Sequence, residues 1–533
     1  MASSHIDTAS SGAPPEPLRL AHVPEREALP LSELPVTAVP SPSLDSVEQM
    51  AGMVAGTVDE KATSIETAVV EPHPSPTWTS SSASVVLPGP GSDSTPGSER
   101  VTLVRRKDGY VLQEKPKLEH NLFMAVGFME LANACDFAAN VWNKEPVPLV
   151  ATIFMAIGGT VAGTFSLFAF RDAQLAWRNV CFLRQQRREL HEERARLLKE
   201  APEGSVVDLD VLLDVSYREL GTEVIGRWTL DVFMGVGAVL ISIGTYMALG
   251  GRNKTVYLIS NILSGYLGNA PVALFGLFNS FWAIYIWLKV QSHVNAAAEA
   301  MPGTRAAALV KRRSRNVQTY CTINGTATIL GGVGSMITST RWWGYVILIP
   351  VILSSIFCNF WWRWRVGYAR HDLLGGGMHG MNVDELGTAL EFAARAEISV
   401  REQATAPLNG LVSDATSLDH VLRFLEEHEL LEPYCLRLAN DAKLRAAICG
   451  DDSSDAVEMT LGAPSLLAVP ESAHPAMITA AQDLIRETGS EHFKHRERYT
   501  AELLGSYLCI VSHPQTGQQD AQAETREKKR STS

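Results

Sequence analysis

The chain has 533 residues, a formal net charge of -12 and 46% hydrophobic residues, averages that would suit an acidic soluble protein but mix unlike regions. Its acidity removes the basic footprint on which nucleic-acid binding depends, so no nucleic-acid partner is expected. Seven cysteines scattered from 135 to 509 without a CxxC pair offer neither a disulfide framework nor a zinc site, and are expected to stay reduced.

Residues 1–100 hold 14 of the 27 prolines, and 13 acids against 4 basic residues. Such a stretch cannot bury enough apolar surface to offset its ordering entropy, so 1–117 is expected to be a disordered, acidic, Ser/Pro-rich tail. The first thirty residues lack the basic start and apolar run of a cleaved signal peptide. The first membrane segment would then direct insertion and leave the tail in the cytosol.

A hydrocarbon core about 30 Å thick needs roughly 20 apolar helical residues. Leu149 to Phe170 carries no charge, and Trp342 to Trp362 is bracketed by tryptophans beside Arg341, Arg363 and Arg365, the aromatic belt and basic anchors of a span. Trp228 to Gly250 and Pro271 to Leu288 are two more predicted spans. Val317 to Ser339, rich in Thr, Ser and Gly, is weakly apolar and expected to face other helices. Segments 171–227 and 289–317 carry ten and six basic residues and 363–370 carries three, against two in 251–255 and one in 339–341. Loops rich in Lys and Arg stay cytosolic, which assigns the long loop and the C-terminus to the cytosol.

The remaining candidate span, 121–142, ends in "FMELANACDFAANVW", which carries Glu130 and Asp136. If it crosses, there are six helices with both termini cytosolic; if it lies on the surface, the whole tail must be carried across. At about 100° per residue, Asn133, Asp136, Asn140 and Asn143 share one arc with Glu130 beside it, opposite Phe128, Leu131, Cys135, Ala138 and Trp142. Glu130, Asn133, Asp136 and Asn140 are therefore candidates for a polar path or ion-binding face. The alternatives are an interhelical hydrogen-bond stripe, or acids satisfied by headgroups and water at the far interface.

The uncharged run from Thr255 to Leu288 would be about 50 Å long as one helix, longer than a bilayer is thick. In its middle Gly265, Gly268, Asn269 and Pro271 mark a candidate helix break of the kind that exposes backbone groups to a ligand. The plainer possibility is a short interfacial helix, Val256 to Leu267, ahead of the span. Gly159 and Gly163 form a GxxxG, and Gly235, Gly237, Gly331, Gly332 and Gly334 add small residues suited to a packed bundle or a dimer. The acceptor patterns at Asn253 and Asn324 sit against or within spans and are not expected to be glycosylated.

The basic stretch from Arg171 to Glu200, ended by Pro202 and Gly204, predicts a cytosolic helical hairpin over 171–227, its second helix offering Leu209, Leu212, Leu213 and Leu220 to the first. After the joint "GGGMHG", within a 371–382 linker, helical spacing over Val383 to Gln403, Leu418 to Leu431, Tyr434 to Ile448 and Pro475 to Arg486 predicts a small helical domain, 383–511, interrupted from Asp451 to Ala473. Residues 512–533 are expected to be disordered. P-loop, HExxH, GxSxG and dinucleotide fingerprints are absent. His492 and His495 have no evident metal-ligating partner. No catalytic residue, metal or cofactor is expected.

The sequence thus predicts an all-α protein: a polytopic membrane bundle of about six helices over 118–370 with cytosolic helical additions. Its expected partners are the lipid bilayer, cytosolic proteins engaged through 1–117 and 383–511, and a second copy of the chain. Two functions follow, a membrane-anchored scaffold or regulatory protein, or a transporter of small solutes or ions.

Overall fold

The computed structural model describes residues 100–107, 109–113, 118–119, 131, 134–141, 147–200, 206–250, 253–370, 381–403, 405–449 and 457–512. The fold is overwhelmingly helical. After strands β1 (Val101–Arg106), β2 (Gly109–Leu112) and β3 (Leu118–Glu119) comes a short helix, α1 (Phe137–Val141). The long helices are α2 (Leu149–Glu200), α3 (Val207–Ala248), α4 (Lys254–Ala300), α5 (Arg305–Thr338) and α6 (Gly344–Val366). Among the described residues four of these, α2, α3, α4 and α6, are long and apolar enough to cross a membrane. A short strand, β4 (Ala369–Arg370), follows α6 and pairs antiparallel with β3.

The long helices form a meander in which each packs antiparallel on the next. On α2 and α3, Gly159 meets Tyr246, Gly163 meets Ser242 and Asp172 meets Arg227. On α3 and α4, Gly237 meets Gly268, Gly221 meets Trp282 and Asp214 meets Lys289. The GxxxG of α2 therefore faces α3 of the same chain. Close approach is the physical reason for these glycines: a Cβ on Gly276 of α4 would lie 2.4 Å from the Thr328 carbonyl oxygen of α5.

The outer faces carry exposed large apolar side chains, among them Leu149, Phe154, Leu167, Ile243, Leu274, Phe281, Val346 and Leu353. A belt of that extent suits lipid, not water. On α5, Ile329, Leu330 and Val333 are also exposed, although its composition had suggested contact with helices alone. Its glycine face packs on α4 and α6 and its aliphatic face does not.

Beyond β4 lie α7 (Val383–Glu402), α8 (Leu418–Glu427), α9 (Leu431–Asn440), α10 (Ala442–Cys449), strand β5 (Glu458–Leu461), α11 (Ala463–Leu467), α12 (His474–Leu484) and α13 (Ser490–Ser512). β5 completes an antiparallel sheet of order β2-β1-β5, with Leu103 opposite Leu112 on one side and Met459 on the other. This corrects two expectations: β1 and β2 fall within the expected disordered tail, and β5 within the expected interruption of the domain, whose residues 451–456 lie outside the described residues. Val101 and Leu103 alternate inward with Thr102 and Val104, and with Tyr110 they are buried against Leu408, Tyr434, Leu438 and Leu461. Asn440 secures the hairpin, its Oδ1 accepting from the Tyr110 amide at 2.9 Å and its Nδ2 donating to the Tyr110 carbonyl at 3.0 Å.

Candidate functional site

Of the polar stripe, Glu130 and Asn133 lie outside the described residues. Asp136 is fully buried and accepts from the Tyr345 hydroxyl and the Asn140 amide, both at 2.8 Å. Asn140 also donates to the Tyr345 oxygen at 3.0 Å, and Phe137 meets the Tyr345 ring edge-on at 5.0 Å. Asp136 and Asn140 are thus brought together in a closed hydrogen-bonded triad against the start of α6. Three mutually satisfied groups form an interhelical clamp.

At the candidate break, α4 runs on through a widened turn over Ile262–Leu267. The Asn269 amide donates to the Gly265 carbonyl at 3.0 Å, the Ser264 carbonyl at 3.3 Å and the Ser335 carbonyl of α5 at 3.0 Å. Carbonyls near the widened turn are thereby taken up inside the protein. Gly265 and Gly268 admit Ser339 and Ile241 closely, and Pro271 sits in the first turn of the resumed helix, where it displaces no helical hydrogen bond. The length of the uncharged run is explained by its last turns: Trp282 and Tyr285 are buried against Tyr217, Val224 and Ile225 of α3, within protein instead of lipid.

The densest chemistry is elsewhere, at the end of the bundle where the C-terminal helices dock. Arg218 of α3 donates to Glu502 and Ser506 of α13 in two short contacts, and pairs with Asp214 at 3.2 Å. Lys289 of α4 reaches Asp214 at 2.9 Å, and Arg313 of α5 reaches Glu502 at 3.5 Å while donating to the Val366 carbonyl at 2.5 Å. His293 of α4 lies against Gly505, whose hydrogen leaves room for the ring. Burial works against ionisation of Asp214, yet Arg218 and Lys289 hold its carboxyl well below the usual range. Burial, then Arg218, holds His293 well below its ordinary value, so the ring is neutral.

Two further groups flank this knot. Glu219 of α3 accepts from the Tyr368 hydroxyl at 2.8 Å and from Arg370, whose guanidinium also reaches Gln186 of α2 at 2.8 Å. Arg498 of α13 donates to the carbonyls of Arg363, Trp364 and Gly367, capping the end of α6. Nearer the apolar belt, Arg227 binds Asp172 at 2.7 Å and lies 3.6 Å from Glu223. Buried Asp231 stands beside them next to the Asp172 carboxyl, with no ion-pair partner among the described residues.

A cavity of about 60 Å³ remains at the centre, bounded by Arg218, Glu219, Asn279, Trp282, Trp362 and Glu502. That is room for a water or two. Among the described residues no cluster of His, Cys, Asp or Glu could hold a metal ion, and Cys135, Cys181, Cys321, Cys358, Cys435 and Cys509 are free thiols. Sequence reading missed this site because its partners lie as far apart as Arg218 and Ser506. The only local sign was a charged residue at an inward helical position.

The arrangement joins a helical domain to the ends of apolar helices by buried ion pairs, and the exposed apolar belt with four helices of spanning length is compatible with a membrane protein. Comparison of the chain with protein-family models, curated proteins and solved structures finds no match.

Proposed function

We propose that this is a six-crossing membrane protein acting as an anchored scaffold or regulatory protein, its helical domain held rigidly on the cytosolic end of the bundle. The carrying observation is the insertion of Glu502, Ser506 and Arg498 of one C-terminal helix among the ends of α3, α5 and α6. A domain hung on a flexible tether needs no such buried pairs.

The crossing number is supported by the positions of the chain at either side of residues 120–135. Leu118–Glu119 pairs with Ala369–Arg370 just past the last residue of α6, whereas Asp136 bonds Tyr345 at the first turn of α6. The chain therefore passes from one end of α6 to the other between 119 and 136. Seventeen residues are enough chain to cover a hydrocarbon thickness of about 30 Å. Parity agrees: 101–112 and 383–512 share a core and must share a side, so an even number of crossings separates them. With α2 to α6 supplying five, the sixth falls before α2. Basic loop residues favour the cytosol for that side.

As a scaffold the protein would engage cytosolic partners through its N-terminal region and the 383–511 domain, and a second copy through the bundle. The transport reading rests on Asp231, a buried acid with no ion-pair partner among the described residues, beside Asp172, Glu223 and Arg227. Purified protein in sealed liposomes separates the two. The scaffold reading expects ion and proton flux no greater than that of protein-free vesicles. Flux that Asp231→Asn abolishes while the folded yield is unchanged overturns it.

A further inference from the structure

We propose that the cleft between the membrane helices and the docked helical domain is a binding site for the phosphorylated headgroup of an anionic lipid. The cleft has a volume of about 910 Å³; Leu175, Arg178 and Asn179 of α2 and Arg363 and Trp364 of α6 form one wall, and Lys494 of α13 with Arg401 of α7 the other. Its depth relative to the bilayer follows from its neighbours. Arg178 stands eight residues beyond Phe170, the last residue of the uncharged run of α2, and Arg363 directly follows the apolar run of α6. At about 1.5 Å per residue both lie between the hydrocarbon edge and the aqueous phase, at headgroup level. Trp364 is 62% exposed beside them and Leu175 39%, apolar surface suited to the glycerol and upper acyl region.

The charge of the cleft is unbalanced in one direction. Of its acids, Glu397 lies 3.6 Å from Arg401 and Glu487 is bound by Arg437 at 2.8 Å, while Glu491 lies 4.0 Å from the His495 ring. Arg178 and Lys494 have no acid within ion-pair distance among the described residues, and Arg365 and Arg498 stand close behind Lys494. Burial, then repulsion by Arg498, lowers the ammonium affinity of Lys494 for its proton, and Glu397 and Glu491 do not offset this. A multiply charged phosphate ester between Arg178 and Lys494 would relieve that crowding and accept charge-assisted hydrogen bonds from both walls. It would also bridge α2 and α13, so lipid identity would bear on how firmly the domain is held. In this respect the proposal rests on the membrane reading given above.

The test uses the full chain in vesicles of phosphatidylcholine, alone or with about one lipid in twenty replaced by a phosphatidylinositol phosphate. Hydrogen exchange of α13 reads occupancy; inorganic phosphate added to the plain vesicles is a separate arm. The expected result is slower exchange with the phosphorylated lipid alone, with affinity reduced about a hundredfold by Arg178→Gln with Lys494→Gln. In plain vesicles that double variant should be as protected as the parent, because it removes like-charge crowding. Equal protection by inorganic phosphate, undiminished binding by the variant, or no effect of the lipid each overturns the proposal. Release of the chain from vesicles by alkaline carbonate would instead mark a failure of the membrane reading itself.

Discussion

Replacing Glu502 by leucine removes the carboxylate that joins α13 to α3 and α5. In the intact knot the cations Arg218, Lys289 and Arg313 face Asp214 and Glu502; after Glu502→Leu, Asp214 alone faces all three. The side chains of Arg218 and Glu502 are 6% and 10% exposed, so solvent cannot make up the loss. Breaking a buried pair from one side costs about 3 to 5 kcal/mol. Arg218 keeps Asp214 and Ser506, and Arg313 keeps the Val366 carbonyl, which argues for the lower figure. About 3 kcal/mol corresponds to roughly a hundredfold rise in the undocked population of α13. Hydrogen exchange across Ser490–Ser512, with the outer half of α2 as internal reference, measures it. Arg218→Met combined with Glu502→Leu should recover most of the protection, since no buried charge is then orphaned at that contact. If the single change moves α13 exchange less than about threefold, or if the double change is worse than the single, the ion pairs do not hold the domain.

Lowering pH should weaken the folded protein before the Asp214 carboxylate protonates. His293 and His428 are buried with folded values depressed, His428 to about 3, while unfolded chains bind the proton near 6.5. The unfolded state therefore holds more protons below that value, and stability falls by about 1.3 kcal/mol per histidine between pH 7.5 and 5.5. Asp214, whose folded value is depressed, contributes stability that persists above about pH 4 and is lost only as pH drops further. Denaturation midpoints at these pH values should show that order, and His428→Phe should flatten the upper step. Asp136→Leu should destabilise by about 1 to 3 kcal/mol, because the Tyr345 hydroxyl and Asn140 amide lose their shared acceptor, whereas Asp136→Asn should be milder. Thermal unfolding in detergent distinguishes them, and equal effects would refute the clamp. Gly276→Ala sets a Cβ against the Thr328 carbonyl and should cost about 1 to 3 kcal/mol by prising α4 from α5, read in the same assay. Removing residues 1–99 should leave the helical domain intact; removing 1–113 also takes Val101, Leu103 and Tyr110 from its core and should render the domain protease-sensitive.

The apolar spans were legible because uncharged length is a local property: Leu149 to Phe170 and the tryptophan-bracketed run of α6 need no knowledge of neighbours. The strand at 101–106 was legible in principle, from the alternation of Val101 and Leu103 and the Asp-Gly pair whose glycine opens β2, but the composition of the preceding hundred residues masked it. What could not be read locally is the knot. Arg187 is one basic residue among many along α2, yet it donates to the Leu213 carbonyl at 2.7 Å and the Ser216 hydroxyl at 3.0 Å. Arg498 looks like one more charge on a solvated basic helix until it caps α6. Asp136 and Asn269, the residues that drew attention in the sequence, are polar groups bound by their neighbours, and each holds two helices together.

Sidedness tests the six-crossing account most directly. Single cysteines at Arg100, Pro148, Lys254 and Arg423, all exposed, are placed in a cysteine-free background and treated with an impermeant thiol reagent in sealed vesicles of known orientation. The account predicts that Pro148 and Lys254 label from one side and Arg100 and Arg423 only from the other. If Arg100 labels together with Pro148, the chain does not cross before α2, and the six-crossing bundle with its ends on one side is wrong.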